Sequence, residues 1–426
     1  MALSTSSSVY PRRAWELLQG WLAIFVFSPV IGAALGLVFW YDTIRQRGAI
    51  ALRRPLTQAI AILSVGLVLT CLLGEYPGDA LLGLFHFLPF FLHLVLLGEV
   101  VETGSQLRRM AQIVVFSSIP VAAMGLGQIF WGWSGPVRWL SIVINWELSP
   151  GGNPLGRMSS VFDYANDLSS YLLVAFVLSL GLMGDRQRKK RWVWLLLGLA
   201  IVLDGTSLFL THSRNGWAIA ILAILIYALY WGWHWLVGAV TAGVGLILWS
   251  AFGIDPSRQW LRVIVPHYIW ARLTDEMFPD RPLAQLRSTQ WQFALDLIQQ
   301  RPFTGWGLRS FSPLYETQMN YWIGHPHNLP LMLFSEVGIL VAVWFLCLVT
   351  WILAKAVYFC SLLRPSTEQA IVFTYLVAFT SITLFHLLDI TLFDSRINFL
   401  GWWLLGSLLG WVYHRSQTAR ERANNR

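Results

Sequence analysis

The amino-acid sequence predicts an all-α polytopic membrane protein with eleven or twelve transmembrane helices and a large outer loop that contains amphipathic helices. Three observations predict it. Hydrophobic residues make up 56% of the 426 and charged residues only 12%, with a positive mean hydropathy, which is too apolar for a soluble domain of this size. The apolar residues fall in repeated blocks of about 20, the length a helix needs to cross a hydrocarbon layer of roughly 30 Å. Aromatic residues gather near block ends, as in Phe39-Trp40-Tyr41, Trp131-Gly132-Trp133 and Trp231-Gly232-Trp233, where a membrane interface would hold them. The strand-type alternation of a barrel is not visible.

The formal charge of +8 raises the question of a nucleic-acid partner, but the basic residues lie in short segments between apolar blocks, so no nucleic-acid surface is expected. Cys71, Cys347 and Cys360 all fall in or beside apolar blocks, which supports neither a disulfide framework nor a thiolate metal site. Arg12 and Arg13 before an apolar run have the outline of a signal peptide. That run ends in the bulky Val38-Phe39-Trp40 and further blocks follow, so it is read as retained.

In chain order, apolar blocks lie near residues 19–41, 57–74, 78–101, 111–132, 167–183, 192–211, 216–231, 235–253, 328–353, 369–388 and 396–413. Pro29 and Gly32 interrupt the first, which makes it either one span or a tight hairpin or re-entrant pair, because proline removes a helix hydrogen bond. When crossings alternate, Arg45, Arg47, Arg53, Arg54, Arg108, Arg109, Arg186, Arg188, Lys189, Lys190 and Arg191 fall on one side, with Arg415, Arg420, Arg422 and Arg426 of the tail. The positive-inside rule makes that side cytoplasmic and leaves residues 133–166, 212–215, 254–327 and 389–395 on the outer side. A single first span would put Arg12 and Arg13 on the outer side, a conflict that a hairpin removes.

Four segments follow from this reading: a transmembrane bundle over residues 1–253 with the outer loop 133–166, a large outer loop over 254–327, transmembrane helices over 328–413 and a basic tail over 414–426. Within the large loop, Ser288 followed by Gln290, Trp291, Phe293, Ala294, Leu295, Leu297 and Ile298 predicts an amphipathic helix with Ser288 as N-cap, stopped by Arg301-Pro302. Trp291 and Leu295 would face lipid or protein. Gly305-Trp306-Gly307 is a turn that lets the chain approach something closely.

Chemistry-bearing residues concentrate on the predicted outer side. Arg157 precedes the fifth block and is either an interfacial arginine, paired with headgroups or Asp163, or a ligand-binding group. Arg214, in Thr211-His212-Ser213-Arg214-Asn215-Gly216, sits in a turn with almost no length, so its charge must lie at the outer membrane surface and calls for a partner or a function. With Arg287 these arginines make a cluster suited to a lipid-linked phosphate or pyrophosphate, which guanidinium forks bind bidentately. Gly324-His325-Pro326-His327-Asn328 offers an imidazole that could take a proton from a sugar hydroxyl. The same two histidines are a weak zinc signal, since they stand at i and i+2 around a proline with no nearby third ligand. Glu336, about 13 Å further along a helix, is too deep to touch His327 and is expected to face a polar group of another span or to form a structural pair. His386, Asp389 and Asp394 border the last outer loop, where they could cap helices or line a cleft.

These residues resemble the O-antigen ligase and O-antigen polymerase superfamily, bacterial membrane proteins that share the Wzy_C domain. The resemblance rests on Arg157 with Phe162 and Asn166, Ser213-Arg214-Asn215-Gly216-Trp217, Arg287-Ser288-Thr289-Gln290-Trp291, Arg301-Pro302-Phe303-Thr304-Gly305-Trp306-Gly307, and His325-Pro326-His327-Asn328 followed by Glu336-Val337-Gly338. It spans roughly residues 150–400. Leu392-Phe393-Asp394 and the aromatic-rich last block look like a cyanobacterial-type branch, some members of which have been described as inorganic carbon transporters. Phe162-Asp163-Tyr164-Ala165-Asn166 departs from the glycine or Asn-Pro-Asn-like turn that members often carry.

The resemblance implies an inner-membrane enzyme with a large periplasmic loop that moves an undecaprenyl-pyrophosphate-linked glycan onto an acceptor, with inversion and without nucleotide sugar, metal or other cofactor. By that resemblance Arg157, Arg214 and Arg287 would hold the pyrophosphate, His327 would activate the acceptor hydroxyl, and His325 would be its helper or the alternative base. Asn166, Ser213, Trp291, Asn328, Glu336 and Asp394 complete the expected substrate site. The expected partners are the lipid-linked donor, a lipid, glycan or protein acceptor, and membrane lipids. Polysaccharide polymerisation uses the same donor and stands as an alternative. A bicarbonate or small-anion transporter is the alternative of another class, and it would want ionisable residues at mid-membrane and an internal repeat.

Overall fold

The computed structural model describes residues 12–139, 144–185, 190–274, 276, 280 and 282–424. Arg186, Arg188, Lys189 and Arg426 of the basic set lie outside these residues. The chain runs through α1 (Arg12–Ile24), α2 (Pro29–Leu52), α3 (Pro55–Leu72), α4 (Pro77–Gly83), α5 (Leu88–Leu97) and α6 (Gly104–Phe130) into strands β1 (Gly135–Trp139) and β2 (Ile144–Leu148). It continues through α7 (Ala165–Gly184), α8 (Arg191–Leu210), α9 (Arg214–Tyr230), α10 (His234–Phe252), α11 (Ser257–Ile264), α12 (His267–Leu273), α13 (Arg287–Gln300) and α14 (Phe311–Met319). The last helices are α15 (Leu329–Ser361), α16 (Thr367–Phe385) and α17 (Ser395–Asn424). The architecture is all-α and polytopic.

Eight helices among the described residues are long and apolar enough to cross a membrane: α3, the α4–α5 run, α6, α7, α8, α10, α15 and α16. The shorter α9, at 17 residues, is apolar too. Their starts follow local chemistry. Proline at the first turn opens α2, α3 and α15, where its missing N–H costs no helix bond. Thr103 and Gln106 form a capping box at α6, and Ser213 and Asn328 cap α9 and α15.

The first apolar block is a hairpin. Gly32 lies against Phe25 and Gly36 against the Trp21 ring, so close that a Cβ at either would collide, which fixes α1 and α2 as antiparallel neighbours. Gln19 of α1 accepts from Arg109 at the start of α6 (3.1 Å), while Phe27 at the hairpin tip accepts from Trp146 of β2 (2.7 Å). Arg12 and Arg13 therefore share the bundle end that holds the other basic residues. Several of those are paired: Arg54 with Glu99 at 2.9 Å, Arg108 with Asp185 at 2.6 Å, and Arg415 with Glu368.

Two features depart from the sequence expectations. The β1–β2 antiparallel pair occupies part of segment 133–166, and strands of five residues carry too short an alternation to stand out in sequence. Helix α15 is broken inside its apolar block: Gly338 has φ 75° and ψ 163°. The break leaves backbone groups without helical partners, and the segment after α13 supplies them. Trp306 N–H donates to Ser335 O (3.1 Å), Gly307 N–H to Glu336 O (2.8 Å), and Ile339 N–H to Pro302 O (2.8 Å). A Cβ on Gly338 would stand 2.2 Å from Phe303 O, and one on Gly305 2.3 Å from Glu336 O. Non-helical backbone at such a depth is tolerated where protein buries and bonds it, and these glycines permit the contact.

Candidate functional site

At the bundle end opposite the paired arginines, the segments 154–167, 212–215, 268–272, 285–288, 309–327 and 389–394 enclose a cavity of about 1880 Å³. Arg157, Asn166, Ser213, Arg214, Arg287, His325, His327, Glu336 and Asp394 of the sequence-predicted site line it. Trp291 and Asn328 do not. Both instead hold the histidine turn: the Trp291 indole donates to Pro326 O (3.0 Å), and Asn328 caps α15 while donating to Leu387 O (3.0 Å).

The catalytic-looking arrangement centres on Asp389. His327 Nδ1 lies 2.9 Å from Asp389 Oδ1, and Ile390 N–H donates to the same oxygen at 2.8 Å. Asn166 Nδ2 donates to the other carboxylate oxygen, and the Asn166 carbonyl accepts from Arg157. Burial works to raise the Asp389 pKa, but the His327 hydrogen bond and charge, His325 and the Ile390 N–H outweigh it and lower the pKa. An ionised carboxylate only accepts, so the ring proton of His327 sits on Nδ1 and Nε2 is left as the basic nitrogen. His325 stacks on Phe393 and accepts the His327 backbone N–H at Nδ1 (3.2 Å). Burial, then His327, pushes its pKa down to about 4, so it stays neutral near pH 7.

Sequence reasoning placed Asp389 only as a border residue. It follows α16, 62 residues after His327, and a pairing at that separation leaves no local motif. Backbone bonds bring the two turns together: Leu329 N–H donates to His386 O at 2.9 Å. Asp389 also brings a third donor to the two histidines, which the short-range spacing lacked. One ligand atom from each of His325, His327 and Asp389 lies within 4.8 Å of the others.

Arginines face this acid–imidazole pair from the other walls. Arg157 Nε donates to Thr211 O (2.8 Å), so its partners are Asn166 and the α8–α9 turn rather than Asp163. Arg214, the first residue of α9, reaches Arg272 O. The Arg157 pKa is lowered by burial and by Arg214, while Tyr164 and Asp389 oppose that shift. Two guanidiniums that repel each other in a cavity are electrostatically prepared for an anion. Arg287 is the first residue of α13, whose N-cap is Leu286 rather than the expected Ser288 and makes no side-chain cap bond. The buried face of α13, Gln290, Phe293, Ala294 and Leu297, packs in the protein against Phe311 and Tyr315, and Leu295 is exposed. Arg309, unmarked in the sequence, also lines the cavity.

Glu336 lines the cavity from below, and its carboxylate accepts the Phe311 N–H at 3.3 Å. Its partner is the backbone N–H at the start of α14 rather than a group on another span. Asp394 is engaged by Arg396, which donates to both carboxylate oxygens. Backbone strain gathers here as well: His212, Arg309 and His327, all lining residues, have φ of 52°, 63° and 53°.

The structure is thus a multi-pass helical bundle with a cavity at one end lined by arginines and histidines. Residues 199–346 match the family model Wzy_C, O-antigen ligase, a stretch that runs from within α8 to within α15 and includes Arg214, Arg287, both histidines and Glu336. The match bears out the resemblance to the Wzy_C family, though not to a particular branch of it, and supports a membrane ligase of the glycosyltransferase kind. No curated protein sequence matches the chain.

Proposed function

We propose that the protein is an inverting, metal-independent glycosyltransferase of the periplasmic face of the inner membrane, moving a glycan from an undecaprenyl-pyrophosphate-type lipid to an acceptor hydroxyl. The observation that carries the reading is the 2.9 Å contact of His327 with Asp389 in a cavity that Arg157, Arg214 and Arg287 also line. His327 Nε2 takes the proton of the acceptor hydroxyl as its oxygen attacks the anomeric carbon. The bond from that carbon to the pyrophosphate oxygen breaks, and the electron pair leaves with the pyrophosphate. The arginines neutralise the charge that develops there, so no divalent cation is required. A single displacement inverts the anomeric centre.

Asp389 holds the imidazole tautomer, and Asn166 links it to Arg157, which ties the base to the phosphate-binding side. His325, Ser213, Glu336 and Asp394 belong to the walls of this site, with Trp291 and Asn328 positioning the histidine turn. The cyanobacterial-type placement belongs to the same reading, as does the division into bundle, outer loop, C-terminal helices and tail.

Transfer in proteoliposomes containing a lipid-pyrophosphate-linked glycan, with lipid, glycan and protein acceptors offered in turn, tests it. His327→Ala is expected to reduce product by about 10²–10⁴-fold, the range general-base catalysis supplies. Product from no acceptor, together with bicarbonate or other anion uptake by the same vesicles, would overturn transfer in favour of transport.

A further inference from the structure

The turn at His325-Pro326-His327 and the Asp389 loop bring an imidazole pair and a carboxylate to one point. The His327 Nδ1 to Asp389 Oδ1 distance is 2.9 Å and the His325 Nε2 to Asp389 Oδ1 distance 4.0 Å, with all three donors within 4.8 Å of one another. Zinc bonded at about 2.0–2.2 Å holds tetrahedral ligand atoms roughly 3.3 Å apart, so the two distances bracket the required spacing. The donors are not held only by each other. Asn328 and Leu329 bond the histidine turn to the backbone of Leu387 and His386, and Trp291 holds Pro326. His327 faces the cavity with its side chain 28% exposed, which leaves room for water or an acceptor oxygen at a fourth position.

We propose that His325, His327 and Asp389 form an inhibitory site for a divalent first-row transition ion of the zinc type. The inhibition rests on the reading of His327 as the base; the binding does not. Without metal, Nδ1–H of His327 points to the Asp389 carboxylate and Nε2 carries the lone pair. Ligation through Nδ1 moves the ring proton to Nε2, releases no net proton and removes the base. His325 shifts in the same sense. Its Nδ1, which accepts the His327 N–H at 3.2 Å, becomes protonated when Nε2 ligates, and that long hydrogen bond is lost. Two tautomer changes and two lost hydrogen bonds, His327 Nδ1–H to Asp389 and the His327 N–H to His325 Nδ1, make the site weaker than a closed structural zinc centre, and so reversible. Two imidazoles and one carboxylate favour zinc-type ions over magnesium or calcium, which prefer all-oxygen shells.

The test is a titration of chelator-treated, detergent-purified protein with Co²⁺, read by its visible d–d absorption, followed by Zn²⁺ displacement. The expected result is one equivalent bound and displaced by Zn²⁺, with affinity at least tenfold weaker in His325→Ala and in His327→Ala. Asp389→Asn, which keeps the side-chain shape, should weaken it as well, and monodisperse elution confirms that each variant folds. Absence of a Co²⁺ spectrum in the wild type, or equal titration in the variants, overturns the site. In the transfer assay, Zn²⁺ should stop product formation and a chelator restore it; unchanged transfer at saturating Zn²⁺ overturns the inhibition. A histidine-dependent Co²⁺ spectrum with no transfer under any condition leaves the metal site standing and counts against the glycosyltransferase reading instead.

Discussion

At the scale of single residues, the site is a set of constraints on one imidazole. Asp389 fixes which nitrogen of His327 carries the proton, and Asn166 and the Ile390 N–H fix Asp389. Asp389→Asn keeps the volume but removes the charge that selects the tautomer. We expect it to lower the transfer rate by about 10²-fold or more while leaving thermal stability within about 2 kcal/mol, measured by transfer kinetics beside a melting curve. A loss of activity explained wholly by unfolding would remove the positioning role. His386 tests the same neighbourhood by pH. Burial pushes its pKa from 6.5 to about 4, while its Nε2 lies 3.1 Å from Thr391 Oγ1. Between those values the unfolded chain binds the proton and the folded chain does not. The stability from neutral His386 is therefore full above pH 6.5 and lost progressively as pH falls towards 4. His386 is only partly buried by accessible area, so the expected loss at pH 5 is on the order of 1 kcal/mol. The melting midpoint of His386→Gln should fall less steeply than that of the wild type over pH 7 to 5.

At the scale of elements, the sequence motifs 301–307 and 336–338 turn out to be two halves of one lock. The broken middle of α15 needs partners for its backbone groups, and the segment from Pro302 to Gly307 provides them. Arg301 adds an ion pair to Glu75 beyond α3 at 2.8 Å, and Glu75 N–H donates to Trp306 O, so three elements meet there. The lock holds Glu336 and the start of α14 at the cavity floor. Gly338→Ala combines a left-handed φ of 75° with a Cβ placed 2.2 Å from Phe303 O. We expect a destabilisation of about 2–4 kcal/mol, read as a lowered melting temperature and faster proteolysis of the 301–307 segment. A melting curve equal to the wild type would show that the lock carries no stability.

The same elements show what the sequence makes legible. Long apolar blocks give several spans to within a few residues, as 57–74 against Pro55–Leu72 and 192–211 against Arg191–Leu210, because lipid demands an unbroken apolar run, whereas block 111–132 starts seven residues inside Gly104–Phe130 and block 328–353 stops eight short of the end of Leu329–Ser361. That Arg157, Arg214, Arg287, His325 and His327 gather at one end of the bundle is also legible, since charge and imidazole stand at the ends of such runs rather than within them. The break in α15 is not, because Gly338 stands in a run as apolar as any intact helix. Nor is Asp389, whose importance depends on a contact across 62 residues, or Arg309, which becomes a wall residue only through the left-handed turn at its own position.

At the scale of the whole molecule, the α1–α2 hairpin settles which bundle end the chain's first described residues share. Arg12, at the start of α1, lies at the end where Arg109 meets Gln19, and Gln46 near the end of α2 lies at that end too. The cavity is at the other end, where α12 helps to line it and α11 packs against α12. If the basic end is cytoplasmic, an impermeant maleimide added to intact spheroplasts should label a cysteine at the exposed Gln259→Cys in α11 and spare both Arg12→Cys and Gln46→Cys. Inverted vesicles should reverse the pattern. The native cysteines complicate this only at Cys347, which is exposed on α15 where lipid would cover it, while Cys71 and Cys360 are buried. Labelling of Arg12→Cys and Gln46→Cys from opposite sides would contradict the hairpin itself. Labelling of all three from the expected sides would place the arginine–histidine cavity on the outer face, the side on which a lipid-linked glycan has to meet its acceptor if the proposed transfer is correct.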